Sequence, residues 1–382
     1  MMYGLDQVRK DNSLLGSAVF GYQEPSVCMT GGVTLHRPMT YPIHSKVGNV
    51  SYKNTREILN ITAGAAYFGG VLGLDNMVYL IPSDSTTAGY FNPYTEEYET
   101  FGPTLSSSSS KWQGGVLAND GHIYAVPYNE TSILHINPTS KIVEEISNPI
   151  VFAYYKYTVL ASNGLIYGFG IETTPGYILE FDPVSRITTE YYIGVGLTIG
   201  GAVVAPNGNI YTIPYNTNEF MVFNPITKKV KIVDAGGPLE GSSSSNSRFV
   251  GGVLGPDGRI YCIPSSQWKV LVIEPGSDKS WYLESYSLGG DTLKYRGGVL
   301  GPDGCIYGIP GANTKVLRID PYHQSLEQYG NLSGTSQKWM GGVLHPNGHL
   351  YGITYSGDTI LDINFGVSIN RKTCLSKDLN KF

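Results

Sequence analysis

The sequence is poor in charged residues. Asp, Glu, Lys and Arg make up only 15% of the 382 residues, whereas an average soluble domain has about 25%. The formal net charge is −5, so the chain lacks the positive surface that a protein uses to hold the phosphates of DNA or RNA. We therefore expect no nucleic acid among its partners.

Long apolar runs are also missing. The chain has no continuous apolar stretch of about 18 residues, so we expect no membrane span. Its first 20 residues lack the basic start and the apolar stretch of a secretory signal, so we expect no signal peptide. These absences leave the localisation open.

Residues that would bind a metal or carry catalysis are few and scattered. The four cysteines form no Cys-x-x-Cys pair, and we interpret them as free, buried thiols: Cys28, Cys262, Cys305 and Cys374. His345 and His349 are separated by a Pro-Asn-Gly turn, and no third ligand lies near them in sequence. No Gly-x-Ser-x-Gly, P-loop or dinucleotide-binding motif occurs. The sequence predicts no catalytic residues, no metal and no cofactor.

The chain instead contains a repeated sequence motif. A phrase of Gly-Gly-Val-Leu, a short turn and Ile-Tyr recurs seven times between residues 69 and 354. The tyrosines of the seven units are Tyr79, Tyr124, Tyr167, Tyr211, Tyr261, Tyr307 and Tyr351. Neighbouring tyrosines are 45, 43, 44, 50, 46 and 44 residues apart. A period of this size is typical of propellers, solenoids and arrays.

The sixth unit, residues 297–330, shows what one repeat contains. It has four short runs typical of strands, at 297–300, 305–309, 316–319 and 326–329. A Pro-Asp-Gly turn separates the first two runs, and proline steps end the second and the third. No stretch has a sustained helical period. The sequence therefore predicts an all-β fold, a seven-bladed β-propeller of four-stranded antiparallel blades.

The closure of the ring can also be predicted. The seventh unit has no obvious fourth strand, while residues 55–61 have the character of such a strand and precede the first Gly-Gly pair. We expect this N-terminal strand to complete the last blade, because a propeller left open would expose two sheet edges. The chain then divides into an N-terminal arm at 1–50, the propeller at 51–366 and a C-terminal tail at 367–382.

The repeated phrase GGVLxPDGxIYxIP…VLxIDP resembles tandem repeats found in uncharacterised bacterial, protist and viral proteins. Over roughly residues 55–365 the chain resembles the seven-bladed β-propeller repeat proteins, the broad class that contains kelch, WD40 and virginiamycin-B-lyase-like propellers. It lacks the Trp-Asp ending of WD40 repeats and the diglycine placement of kelch repeats. The resemblance implies the fold and leaves the function open, because propellers carry unrelated activities.

Candidate binding residues come from a feature that only four units share. In these units the loop before Gly-Gly ends in a basic residue and an aromatic one: Lys111-Trp112, Arg248-Phe249, Lys294-Tyr295 and Lys338-Trp339. By repeat geometry they would form a partial ring at the channel mouth, where aromatic faces beside cations suit a sugar or the anionic group of a glycan or protein. A structural alternative has the aromatics wedged between blades and the bases paired with a carboxylate such as Asp320.

The regular ring and the lack of a catalytic cluster favour a non-enzymatic structural or binding propeller. We expect a protein–protein interaction or assembly module, with a virion, tail or surface appendage as the favoured setting. Its partners would be other protein subunits, bound through residues 1–50. Two alternatives stay open: a carbohydrate-binding or adhesion propeller that uses the Lys/Arg–aromatic pairs, and a lyase or hydrolase with its site in the channel.

Overall fold

The computed structural model describes residues 54–58, 67–147, 150, 154–170, 176–194, 196–236, 247–283, 288, 292–334 and 337–366. The chain divides into two compact units, Met1–Val50 and Ser51–Phe382, and every described residue belongs to the second. The predicted N-terminal arm and C-terminal tail lie outside the described residues. Within the described ranges, no helix has the length and apolar character needed to cross a membrane.

The described residues form seven antiparallel sheets of four strands each. Blade 1 contains β2 (Tyr67–Leu72), β3 (Val78–Pro82), β4 (Ala88–Asn92) and β5 (Glu97–Phe101). Blade 2 contains β6 (Val116–Leu117), β7 (Ile123–Ala125), β8 (Ser132–Asn137) and β9 (Ile142–Ser147). Blade 3 contains β10 (Tyr155–Leu160), β11 (Ile166–Gly170), β12 (Tyr177–Asp182) and β13 (Ile187–Tyr192).

The remaining blades follow the same order. Blade 4 contains β14 (Ile199–Val204), β15 (Ile210–Pro214), β16 (Glu219–Phe223) and β17 (Val230–Asp234). Blade 5 contains β18 (Phe249–Leu254), β19 (Ile260–Pro264), β20 (Leu271–Glu274) and β21 (Lys279–Tyr282). Blade 6 contains β22 (Tyr295–Leu300), β23 (Ile306–Pro310), β24 (Val316–Asp320) and β25 (Ser325–Tyr329). Blade 7 contains β26 (Trp339–Leu344), β27 (His349–Thr354), β28 (Ile360–Asn364) and β1 (Asn54–Ile58). The predicted seven-bladed β-propeller is confirmed.

Blade 7 is completed by a strand from the opposite end of the chain, as predicted. Strand β1 pairs antiparallel with β28, in a register that runs from Asn54 opposite Asn364 to Ile58 opposite Ile360. Arg56 Nε donates to Asp362 Oδ2 at 2.8 Å, and the same guanidinium also bonds to Glu96 of blade 1. One side chain thus links the closing strand to both blades at the junction.

The repeated tyrosine fastens neighbouring blades together. The Tyr79 hydroxyl oxygen lies 2.8 Å from Asp75 Oδ2 in its own hairpin turn and 3.1 Å from the carbonyl oxygen of Pro138 in blade 2. Tyr167 makes the equivalent contact with Pro225 of blade 4. The Asp-Gly turn, the tyrosine and the Asx-Pro step are therefore parts of one contact, which explains why they repeat together.

The Gly-Gly pairs allow the innermost strands to approach one another. Gly251 has a φ of 86°, and a Cβ on it would lie 2.8 Å from Gly297 Cα in the next blade. Side chains at such positions would collide with the neighbouring backbone.

Candidate binding site at the channel mouth

The candidate site lies on one face of the ring, which we call the upper face. In each blade the loop between the second and third strands and the connection from the fourth strand to the next blade open on this face. The hairpin turns that join first to second and third to fourth strands lie on the lower face. Each innermost strand begins at the upper face.

The four predicted aromatics are on this face but are closed to solvent. Each of them has no accessible surface: Trp112, Phe249, Tyr295 and Trp339. Trp112 Nε1 donates to the carbonyl of Ser132 at 2.8 Å, and Trp339 Nε1 donates to that of Thr359 at 3.0 Å. Trp112 packs in a core cluster with residues of blades 1 and 2. In this structure these rings pack between blades rather than present faces to a ligand.

The basic partners of these aromatics are mostly buried as well. Lys111 and Lys294 have no exposed surface, and Lys338 is 3% exposed. Lys111 Nζ donates to the carbonyls of Ser83 and Ser108, both at 3.1 Å. Burial lowers the pKa of the Lys111 and Lys338 ammonium groups. Arg248, the fourth of these basic residues, is half-buried, and its Nη1 has no hydrogen-bond partner. Ligand binding by these eight residues stays a prediction.

The burial of these side chains agrees with the structural alternative, but Lys111 and Lys338 donate to backbone carbonyls rather than to a carboxylate. Lys338 Nζ donates to the carbonyls of Asn313, at 3.0 Å, and Ser333. Asp320, suggested as a partner, instead lies beside His323 and Arg318 of its own blade. Backbone carbonyls of the adjoining loops hold Lys111 and Lys338, so these two cations tie loops together.

In each innermost strand, the residue that faces the channel comes one position after the site of the buried aromatic residue. These residues are Phe68, Gln113, Lys156, Gly200, Val250, Arg296 and Met340. Three of them, Phe68, Val250 and Met340, form one buried cluster although they come from blades 1, 5 and 7. Blades 1 and 7 are neighbours, but blade 5 adjoins neither of them, so Val250 can meet Phe68 and Met340 only across the channel. The mouth is therefore filled by side chains, with Tyr215 and Tyr355 packed against the cluster.

Two cations lie on aromatic rings at this mouth. Lys156 Nζ is 5.0 Å from the ring centroid of Phe68. The Arg296 guanidinium is 5.0 Å from the Tyr355 ring, and that ring meets Phe68 edge-on at 5.8 Å. Both cations are half-buried. Such stacking holds a cation in place without neutralising it.

Tyr157 carries the only polar side chain at its repeat position, and its ring packs in the core cluster of blades 3 and 4. It stands where five units have a glycine of positive φ: Gly69, Gly114, Gly251, Gly297 and Gly341. The side chain is 2% exposed, and its hydroxyl has no hydrogen-bond partner. Burial raises the pKa of this hydroxyl, and the positive charge of Arg296, on the opposite side of the ring, acts in the other direction.

The repeat suggested the candidate pairs, but the channel position could have been found from its variation. Within the repeat, the residue two places before the first glycine is aromatic in most units, which indicates packing. The residue directly before that glycine changes in kind from unit to unit. A position that varies inside an otherwise regular repeat does not take part in the packing that all units share. This signal could have identified Lys156 and Arg296.

A second polar cluster lies on the lower face, in blade 2. His135 Nδ1 is 2.7 Å from Glu144 Oε1, and His135 Nε2 is 2.8 Å from His122 Nδ1. Burial lowers the pKa of His135. Among the described residues, no group of three or more His, Cys, Asp or Glu side chains is arranged to hold a metal ion.

Comparisons with known proteins identify the fold. No protein-family model matches the chain, and no curated protein matches it. Virginiamycin B lyase from Staphylococcus aureus is similar in structure, with a TM-score of 0.67 and 12% identity over 81% of this chain and 98% of the lyase. The extracellular domain of a putative one-component system from B. thetaiotaomicron has a TM-score of 0.61 and 13% identity, over 82% of this chain and 40% of that one. A chain of a mitotic checkpoint complex has a TM-score of 0.61 and 9% identity, over 88% of this chain and 98% of its own length.

These similarities establish the class, a seven-bladed β-propeller, and they correct one prediction. The prediction that the chain is not an enzyme is wrong as an inference from a regular ring, because similar structures include streptogramin B and virginiamycin B lyases. At 12–13% identity these similarities show the fold alone. The extracellular domain of the one-component system and a chain of the mitotic checkpoint complex share it too, so a general binding or assembly role is compatible with the fold.

Proposed function

We propose that this protein is an interaction propeller that takes a protein partner on its upper face, at the channel mouth. The observation that supports this most directly is the mouth itself. Phe68, Val250 and Met340 close the channel from within, while Lys156 and Arg296 stay half-exposed above them. The result is a shallow charged surface on a rigid ring, which suits a protein contact better than a deep pocket does.

The ring is well suited to present such a surface. Strand β1 joins the two ends of the ring. In most blades the turn between the third and fourth strands also contains a residue of positive φ whose side chain bonds to the preceding blade. Lys141 Nζ, for example, donates to Asp75 Oδ2 of blade 1 at 2.8 Å. A scaffold held in this way keeps the upper loops in fixed positions, and loops on rigid scaffolds carry much of protein recognition.

A sugar partner is less well supported. Sugars stack on open aromatic faces, but Phe68 is 1% exposed, and Trp112 and Trp339 have no exposed surface. The Tyr355 ring is half-buried and already stacks with Arg296. The aromatic residues here support the site and leave little flat surface for a sugar ring.

Hydroxyl-radical footprinting of the isolated chain and of its native assembly tests the proposal. Tyr154, 51% exposed, marks the upper face, and Tyr322, 66% exposed, marks the lower face. We expect the assembly to protect Tyr154 from labelling and to leave Tyr322 as reactive as in the isolated chain. Protection of Tyr322 with unchanged labelling of Tyr154 would place the partner on the wrong face and refute the proposal.

A further inference from the structure

Building on the proposed function, we infer that the partner inserts a carboxylate side chain into the channel mouth, between the Arg296 guanidinium and the Tyr157 hydroxyl. Some hydrogen-bond donors at the mouth are already used by neighbouring residues, and others meet no partner.

Arg296 has donors to spare. Its Nη1 donates to Gln337 Oε1 at 2.8 Å, and its plane stacks on Tyr355. Its Nε is buried and meets no hydrogen-bond partner. Among the ion pairs of the described residues, none involves Arg296. A guanidinium presents a planar fork of donors that matches a carboxylate, and here the fork is held in position while part of it is unused.

The Tyr157 hydroxyl supplies a second donor on the opposite side of the ring. The side chain is almost completely buried, yet the hydroxyl meets no partner. A buried hydroxyl without a partner is unfavourable, so a group that accepts its proton would be held there. Gln113, 7% exposed, also has an unpartnered amide oxygen. Since an amide can turn to present its NH₂ group, Gln113 can become a third donor.

The charge and shape of the mouth favour a carboxylate on a protein side chain. Arg296 brings a positive charge to the mouth without an ion pair among the described residues, and Lys156 lies in the same layer of the mouth, on the ring of Phe68. Little room is left at the mouth, because Phe68, Val250 and Met340 fill it. An Asp or Glu side chain needs only a narrow opening, whereas a charged sugar also needs room for its ring.

The probe for this test is N-acetyl-glutamate N-methylamide, with the corresponding glutamine compound as its uncharged counterpart. We expect ligand-observed NMR titration of the full chain to show the glutamate probe binding about tenfold tighter than the glutamine probe. Arg296→Gln should remove that difference, and Tyr157→Phe should reduce it by about threefold. Arg259→Gln is the control, since it removes the same charge from an ion pair with Asp257 on the lower face.

Melting temperature and footprinting distinguish the possible outcomes. Tyr157→Phe removes an unpartnered buried hydroxyl, so its melting temperature should not fall, and weaker probe binding then reflects a lost donor rather than a damaged fold. Equal binding of both probes to the wild type would overturn the inference. So would glucuronate binding that depends on Arg296 while the glutamate probe does not bind. If footprinting still protects Tyr154 in either case, the proposed function survives and only the carboxylate contact fails.

Discussion

Buried indoles at the blade junctions combine a large apolar surface with one polar contact. Trp112 fills the space between blades 1 and 2, and its N–H donates to the carbonyl of Ser132 in a buried hydrogen bond. This arrangement serves packing and hydrogen bonding together, so it constrains the side chain more than either would alone. The lysine before it holds two loops in the same region.

Replacing Trp112 by Phe should therefore destabilise the ring. The change leaves the Ser132 carbonyl without its donor and opens a cavity, and we expect a loss of about 2–4 kcal/mol in the free energy of unfolding. Urea denaturation followed by circular dichroism measures this loss. Trp268→Phe is the matched control, because Trp268 is 37% exposed and its truncation should cost less than about 1 kcal/mol. Equal losses in the two variants would contradict the packing role.

His345 makes the fold sensitive to acid. The side chain has no exposed surface, its Nε2 donates to the carbonyl of Asn76 at 2.9 Å, and its Nδ1 accepts from the Asn347 amide at 3.1 Å. Both ring nitrogens are thus satisfied only in the neutral form. Burial lowers the pKa of His345, so the unfolded chain binds a proton more readily than the folded one.

The sign of the pH effect follows from that difference. Stability from His345 is fully present above its ordinary pKa of about 6.5 and is lost as the pH falls below it. We expect the free energy of unfolding to decline between pH 7.5 and 5, by up to about 1.4 kcal/mol for each unit by which the pKa is lowered. His345→Gln should flatten this slope. Parallel slopes for His345→Gln and the wild type would rule out this origin.

At the scale of the strand, the repeated and the varied parts of the sequence differ in how much of the structure they predict. The blades, the hairpin turns and the closing strand were predictable, because each unit repeats the same turn residues and period. The direction of the side chains at the mouth was not. A left-handed glycine interrupts the alternation of most innermost strands, and the lysines bond to carbonyls of loops about 25 residues away in sequence, as Lys338 does with Asn313.

Strand β1 shows what the closing strand contributes to the ring. It covers the edge of β28, and an uncovered edge of a buried strand is a site for association between chains. A chain that begins at residue 60 should therefore form soluble aggregates or exchanged dimers, while a chain that begins at residue 51 should stay monomeric and folded. Size-exclusion chromatography with light scattering distinguishes these states. A monomeric, folded chain from residue 60 onward would show that the ring closes without β1.

At the scale of the whole molecule, the chain combines a closed ring with an N-terminal arm, residues 1–50, that lies outside the described residues. The sequence predicted that residues 1–50 anchor the protein to other subunits, and this stays a prediction. Since the ring includes both its first and its last strand, its own stability should not depend on the segment. The upper face and the arm are then two separate places at which partners could bind.

Removing residues 1–50 separates these two roles. We expect the shortened chain to melt within about 2 °C of the full chain, because all four strands of each described blade, including the closing strand β1, lie between residues 54 and 364. We also expect it to be missing from the assembly when tagged short and full chains are produced side by side and the purified assembly is probed for both. Arg296→Gln in the full chain provides the comparison, since it alters the upper face and keeps the arm. If the short chain enters the assembly as well as the full chain does, while Arg296→Gln does not, then the upper face is the anchor and the arm is dispensable.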